Sequence, residues 1–158
     1  MPSRDVLVLK QRLNDYAQAR LTPDDLLPQL SIDAEIPLSS VTPDLLQSLG
    51  RLEPFGQGNP EPVFSSHGVS LLLPPKILKD KHIKLRVNQR LADAKASFNY
   101  EAVGWRMAER LQAEALQPGD NLDVAFTVGM NSHPDFGGLE LTLEDYRKSV
   151  PAAISVCG

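Results

Sequence analysis

The sequence predicts a mainly β, α+β chain: a five-stranded Greek-key barrel with one bridging helix, preceded by a small helix, strand and short helix. Three observations carry that expectation. Residues 122–131 hold the cleanest period-two pattern in the chain, with Leu122, Val124, Phe126, Val128 and Met130 alternating with Asp123, Ala125, Thr127, Gly129 and Asn131. Strand-like runs occur in the order three strands, a helix, two strands. A segment dense in Gly and Pro separates this series from what precedes it.

In chain order, Val6, Leu9, Leu13 and Tyr16 recur at three- and four-residue spacing, the stripe of an amphipathic helix that ends near Arg20. A turn at Thr22-Pro23-Asp24-Asp25 comes next. Leu30, Ile32, Ala34, Ile36 and Leu38 then alternate with polar residues and Pro37, which reads as a half-buried strand reaching a sheet edge. Thr42-Pro43-Asp44 offers a helix cap, a proline at the first helical position and an acid in the first turn, so a short helix through Leu45, Leu46 and Leu49 is expected. Residues 54–62 hold three prolines, two glycines and Asn59. No helix or central strand tolerates that density of breakers, while Leu52 and Phe55 can anchor the segment as a shaped joint.

Beyond the joint, Val69, Leu71 and Leu73 suggest a strand ending at Pro74-Pro75. Ile83, Leu85 and Val87 alternate with His82, Lys84 and Arg86 in a second, and a third runs from about Ala96 to Trp105 through Phe98, Tyr100 and Val103. Trp105, Ala108, Leu111, Gln112 and Ala115 share a helical face that Pro118-Gly119 terminates. The run at 122–131, a loop at 132–138 and the strand of Leu139, Leu141 and Leu143 complete the series. This order matches the OB-fold, in which a helix bridges strands three and four. The expected divisions are 1–51 for the preceding segment, 52–62 for the joint, 63–149 for the barrel and 150–158 for a tail.

Composition is that of a folded chain: 158 residues, 42% hydrophobic and 23% charged. Cys157 is the sole cysteine, which excludes an internal disulfide framework and any cysteine metal cluster. The start MPSRDVLVLK lacks the long apolar centre of a secretory signal, and no run suits a membrane span, so a cytoplasmic chain is expected. The net charge of −4 is unevenly placed. Residues 76–95 contain seven basic side chains (Lys76, Lys79, Lys81, Lys84, Arg86, Arg90, Lys95) against Asp80 and Asp93, an excess of five that leaves −9 for the remainder. Such a block suits a polyanion-facing surface, or alternatively a solvated edge strand guarded by lysines.

Catalytic chemistry finds no support in the residues. His67, His82 and His133 are scattered, His133-Pro134-Asp135 is better read as turn chemistry, and Asp33 with Glu35 as solvated strand acids. Gly56-Gln57-Gly58 has no following helix to receive a phosphate, and Ser65, Ser66 and Cys157 lack oriented partners for nucleophilic attack. No catalytic, metal or cofactor residue is assigned. The cationic positions of the second strand, with Phe98 and Tyr100 as possible stacking platforms, point instead to binding of unpaired nucleic acid; barrel core is the other reading of the two aromatics. A protein-interaction or packing module, suggested by Leu26, Leu27 and Leu30, is the alternative function.

The segment LEPFGQGNPEPVF at 52–64 closely resembles the joint between the DHHA1 region and the OB domain in the RecJ family, single-strand-specific 5′–3′ DNA exonucleases of the DHH phosphoesterase superfamily. LNDYAQARLTPDDLLPQLSIDAEIPLSSVTPDLLQSL resembles the end of the DHHA1 region and the strand and helix after it. KDKHIKLRV resembles the second barrel strand, AVGWRMAERL the strand-to-helix junction and GLELTLEDYR the last strand. The Asp-His-His and Gly-Gly-His motifs that hold two manganese or magnesium ions in that family do not occur in this sequence. The resemblance therefore implies either the C-terminal part of such a nuclease or a separately encoded relative without its core. It implies an OB domain that retains single-stranded DNA during repair and recombination, with no activity or cofactor of its own. Implied partners are single-stranded DNA, the DHH/DHHA1 core, and single-strand-binding or other repair proteins. The contact residues that the resemblance implies are Lys81, His82, Lys84 and Arg86, with Asn131 matching less closely; the residue pattern itself adds Lys79, Phe98 and Tyr100 as candidate nucleic-acid contacts.

Overall fold

The computed structural model of the chain describes residues 3–90, 96–131 and 137–149. The loop expected at 132–138, including His133, lies mostly outside these residues, as do Asp93, Lys95 and the tail at 150–158. Two compact units are present, Met1–Leu30 and Ser31–Gly158.

The first unit contains helix α1 (Ser3–Gln18) and a 3₁₀ turn at Pro23–Leu26. Asp25 accepts hydrogen bonds from the backbone N–H and hydroxyl of Thr22 at 2.8 and 2.7 Å, the local closure that the turn residues foretell. The stripe side chains Val6, Leu9, Leu13 and Tyr16 are exposed, and the Arg20 guanidinium lies 3.7 Å from the Tyr16 ring centre.

In the second unit, strands β1 (Ala34–Glu35), β2 (Phe64–Leu71), β3 (Lys76–Leu78), β4 (His82–Arg90), β5 (Ser97–Gly104), β6 (Asn121–Asn131) and β7 (Gly138–Lys148) form one sheet in the order β1-β2-β6-β7-β5-β4-β3. An additional antiparallel pairing of β2 with β4 closes β2, β6, β7, β5 and β4 into a barrel. The β5–β7 pairing is parallel and the other barrel pairings antiparallel. A short helix, α2 (Pro43–Gly50), precedes the barrel strands, and helix α3 (Ala108–Glu114) bridges the third and fourth of them. The expected five-stranded OB barrel is thus present, with short strands β1 and β3 added at the sheet's two edges.

Boundaries differ from expectation where local rules give way to tertiary ones. The alternating run 30–38 pairs only at Ala34–Glu35, parallel to β2, before Pro37 turns the chain into a 3₁₀ segment at Leu38–Ser40. Helix α2 forms where its cap predicts: the Thr42 hydroxyl accepts from the Leu45 N–H at 3.2 Å. Leu38, Val41 and Leu49 join the buried barrel cluster with Phe126, Leu141 and Tyr146. Residues 31–51 therefore complete the barrel core rather than belonging to the preceding unit. In the joint, the Asn59 amide donates to the carbonyls of Leu52 and Pro54 at 2.8 and 3.0 Å, and Gly58 takes φ +91°.

Inward positions of the barrel strands, Ile83, Leu85, Val87, Ala102, Val124, Phe126, Leu141 and Leu143, are buried. Helix α3 is pinned to β7 by Arg110. Its guanidinium binds Glu114 at 2.7 Å, Asp145 and the Tyr146 carbonyl, and lies over the Tyr146 ring.

Candidate nucleic-acid interface

Directly opposed residues in a ladder share a sheet face, so register decides what can gather on the barrel wall. Along β4 the even positions look outward and Ile83, Leu85 and Val87 inward. Lys84 pairs with Val103, Arg86 with Glu101 and Asn88 with Asn99 across the β4–β5 ladder. Glu101 in turn pairs with Glu140 on β7. His82, Lys84, Arg86, Glu101 and Glu140 therefore occupy one continuous outer face. Asn131, at the end of β6, reaches the same face, where its amide donates to Glu140 at 3.4 Å.

The face interleaves cations with acids. Lys84 Nζ lies 2.6 Å from Glu101, with both side chains part-exposed. Arg86 is exposed and has no ion-pair partner among the described residues. Lys79 and Lys81 are exposed in the β3–β4 turn, where Lys79 and Asp80 both take left-handed conformations, φ 48° and 57°. That turn sits at the start of β4, so it extends the row formed by His82, Lys84 and Arg86.

Phe98 and Tyr100 do not join this face. They alternate with Asn99 and Glu101, are half-buried and pack against the barrel core, and the Tyr100 hydroxyl donates to the Val41 carbonyl at 2.5 Å. Burial raises the Tyr100 phenol above its ordinary value. The core reading of these two residues is the one that the structure supports.

The aromatic that does face outward is Trp105, which sequence periodicity assigns to the helix. Helix α3 begins only at Ala108, and Trp105 continues the outward phase of Glu101 and Val103 one step past β5. It is 59% exposed and meets His82 edge to face, with ring centres 4.7 Å apart. The Arg106 N–H donates to His82 Nδ1 at 3.1 Å, which ties the strand exit to the first residue of β4. A signal for this placement exists in the sequence: if Phe98 and Tyr100 point inward, strict alternation sends Trp105 out.

Other candidates resolve into structural roles. The Asp33 carboxylate accepts from the Val63 N–H at 2.8 Å and so secures the entry to β2. Glu35 lies 3.6 Å from His67, which on its other side is 3.3 Å from Asp123. Among the described residues no group of three or more His, Cys, Asp or Glu is arranged to hold a metal ion, and no helix is long and apolar enough to cross a membrane.

Comparison with known proteins places these features in a family. Residues 32–145 match the RecJ OB domain family. A single-stranded-DNA-specific exonuclease RecJ from Bacillus subtilis (strain 168) is 26% identical over 146 residues, which cover 92% of this chain and 18% of that protein. The chain thus spans less than a fifth of that relative's length. Crystal structures of RecJ from Thermus thermophilus, in complex with Mn2+ and with Mg2+, superpose with TM-scores of 0.61 and 0.60 at 22% and 24% identity. Each covers 90% of this chain, and the chain covers 19% and 20% of those proteins.

Proposed function

Because the chain belongs to the RecJ OB domain family, we propose that it is the single-stranded-DNA-binding module of a RecJ-like 5′–3′ exonuclease of DNA repair and recombination. It holds the strand while a DHH/DHHA1 core outside these residues hydrolyses it. The observation that carries this reading is the outer face on which His82, Lys84 and Arg86 align with Asn131 across four barrel strands. Cations in a row at strand spacing meet successive phosphates and release condensed counterions, which gives sequence-tolerant, salt-dependent affinity. In this reading the module contributes retention of the strand, and the manganese or magnesium of such nucleases belongs to the core outside these residues. A cytoplasmic setting and contacts with single-strand-binding or other repair proteins accompany this reading.

The test is fluorescence anisotropy of labelled oligonucleotides over a salt series. Lys84→Glu with Arg86→Glu should weaken binding by roughly tenfold or more and flatten the salt slope by about 0.7 for each phosphate interaction removed. Unchanged affinity in the double variant would refute the assignment. A second reading rests on the exposure of Leu26 and Leu27 in the first unit, which suits a packing or protein-interaction role. Self-association or partner capture in sedimentation, with no oligonucleotide bound, would favour it.

A further inference from the structure

Trp105 is the only tryptophan in the chain, and it is 59% exposed. An exposed indole beside cationic side chains offers a flat apolar surface that a base can cover. Its position is held from several sides. Gly104, immediately before it, has no room for a side chain: a Cβ there would lie 2.6 Å from Met107 Sδ and 2.9 Å from Ile83 Cγ1. Arg106, immediately after it, adopts φ 59°, a conformation unfavourable for a side chain other than glycine, and its N–H is engaged by His82. The Ala108 N–H donates to the Lys81 carbonyl at 3.3 Å, which ties the strand exit to the β3–β4 turn. Backbone strain collects here, at Lys79, Asp80 and Arg106.

The surroundings carry charge as well as an aromatic plane. Lys81 and Arg106, with Asp80, Ala108 and Glu109, line an open depression of ≈ 430 Å³. The polar row of β4 that carries Lys84 and Arg86 begins at His82, the ring against which Trp105 rests. The outer face therefore runs from the cations Lys84 and Arg86 to an indole, next to which lies a depression that Lys81 and Arg106 share with the acids Asp80 and Glu109.

Resting on the reading of this face as a single-strand interface, we infer that Trp105, braced by His82, is a stacking subsite for one unpaired nucleobase, with Lys81 and Arg106 taking a phosphate of the same or next nucleotide. The indole supplies a flat, sequence-tolerant platform and the cations fix the backbone beside it. His82 acts as a positioning residue. Its edge keeps the indole from collapsing onto the barrel, and its Nδ1 holds the Arg106 backbone.

Because no other tryptophan contributes, intrinsic fluorescence reads this site directly. Unlabelled oligo-dT titrated into the full chain should quench and shift the tryptophan emission along the same isotherm that anisotropy traces. Trp105→Ala should weaken binding about tenfold and leave the salt slope unchanged, since stacking releases no counterions, whereas Arg106→Ala should lower the slope. Trp105→Phe, which keeps a ring, should retain most of the affinity, and circular dichroism melts verify that both variants are folded. Binding by anisotropy with unaltered tryptophan emission and full affinity in Trp105→Ala would overturn the subsite and leave the broader reading standing. Absence of any oligonucleotide binding by the unsubstituted chain would overturn both.

Discussion

Asp123 shows how much one side chain on the barrel edge accomplishes. Burial alone would raise its carboxyl, but hydrogen bonds from Ser149, the Gly68 N–H, Arg147 and His67 outweigh it and lower the group to about 2. These contacts join β2 at its bulge, β6 and the end of β7. The folded value lies below the ordinary carboxylate value of 3.8, so the stabilisation is fully present above about pH 4 and is lost as pH falls towards 2. Asp123→Asn should cost about 2 kcal/mol in urea denaturation at pH 7, and the gap from the unsubstituted chain should close near pH 2. A gap of constant size across that range would show that packing, and not ionisation, accounts for the destabilisation.

At the scale of the element, the phase of β5 decides what the barrel wall can bind. Tyr100 donates its hydroxyl to the Val41 carbonyl, inside the core that residues 31–51 help to close. Tyr100→Phe leaves that buried carbonyl unpaired and should lower stability by about 1 to 2 kcal/mol in thermal or urea melts, while oligonucleotide affinity stays as it was. Weakened affinity with unchanged stability would place Tyr100 on the ligand side after all. Strand order, the bridging helix, the cap at Thr42 and the outward row of β4 are legible in the sequence because each is written in local periodicity or local hydrogen bonding. The phase of β5 is not. Residues 96–105 mix apolar and polar side chains on both faces, and only the ladder with β4 sets Glu101 opposite Arg86 and so sends Phe98 and Tyr100 inward. Strand β3 and the truncation of the run at 30–38 are equally hidden, since both depend on which neighbouring edge has free backbone groups.

For the whole molecule, the question is how a chain of net charge −4 attracts a polyanion. Repulsion from the acidic remainder is screened beyond roughly 8 Å at physiological ionic strength, so local arrangement on the barrel wall governs affinity. There the charges are not uniformly positive. Glu101 sits between the two strongest cations, holding Lys84 at 2.6 Å and facing Arg86 across the ladder, with Glu140 beside it on β7. A phosphate that engages Lys84 must displace Glu101 and approach a carboxylate as it does so, which restrains binding to any passing polyanion. Exposed pairs of this kind stabilise the fold little, so removing the acid should leave the melting temperature nearly unchanged. Glu101→Gln should therefore tighten single-strand binding several-fold in low-salt anisotropy and steepen the salt slope, because Lys84 becomes available to a further phosphate. If affinity and slope both stay fixed, the strand does not cross the centre of the β4–β5 ladder, and the cations of the β3–β4 turn carry the interaction alone.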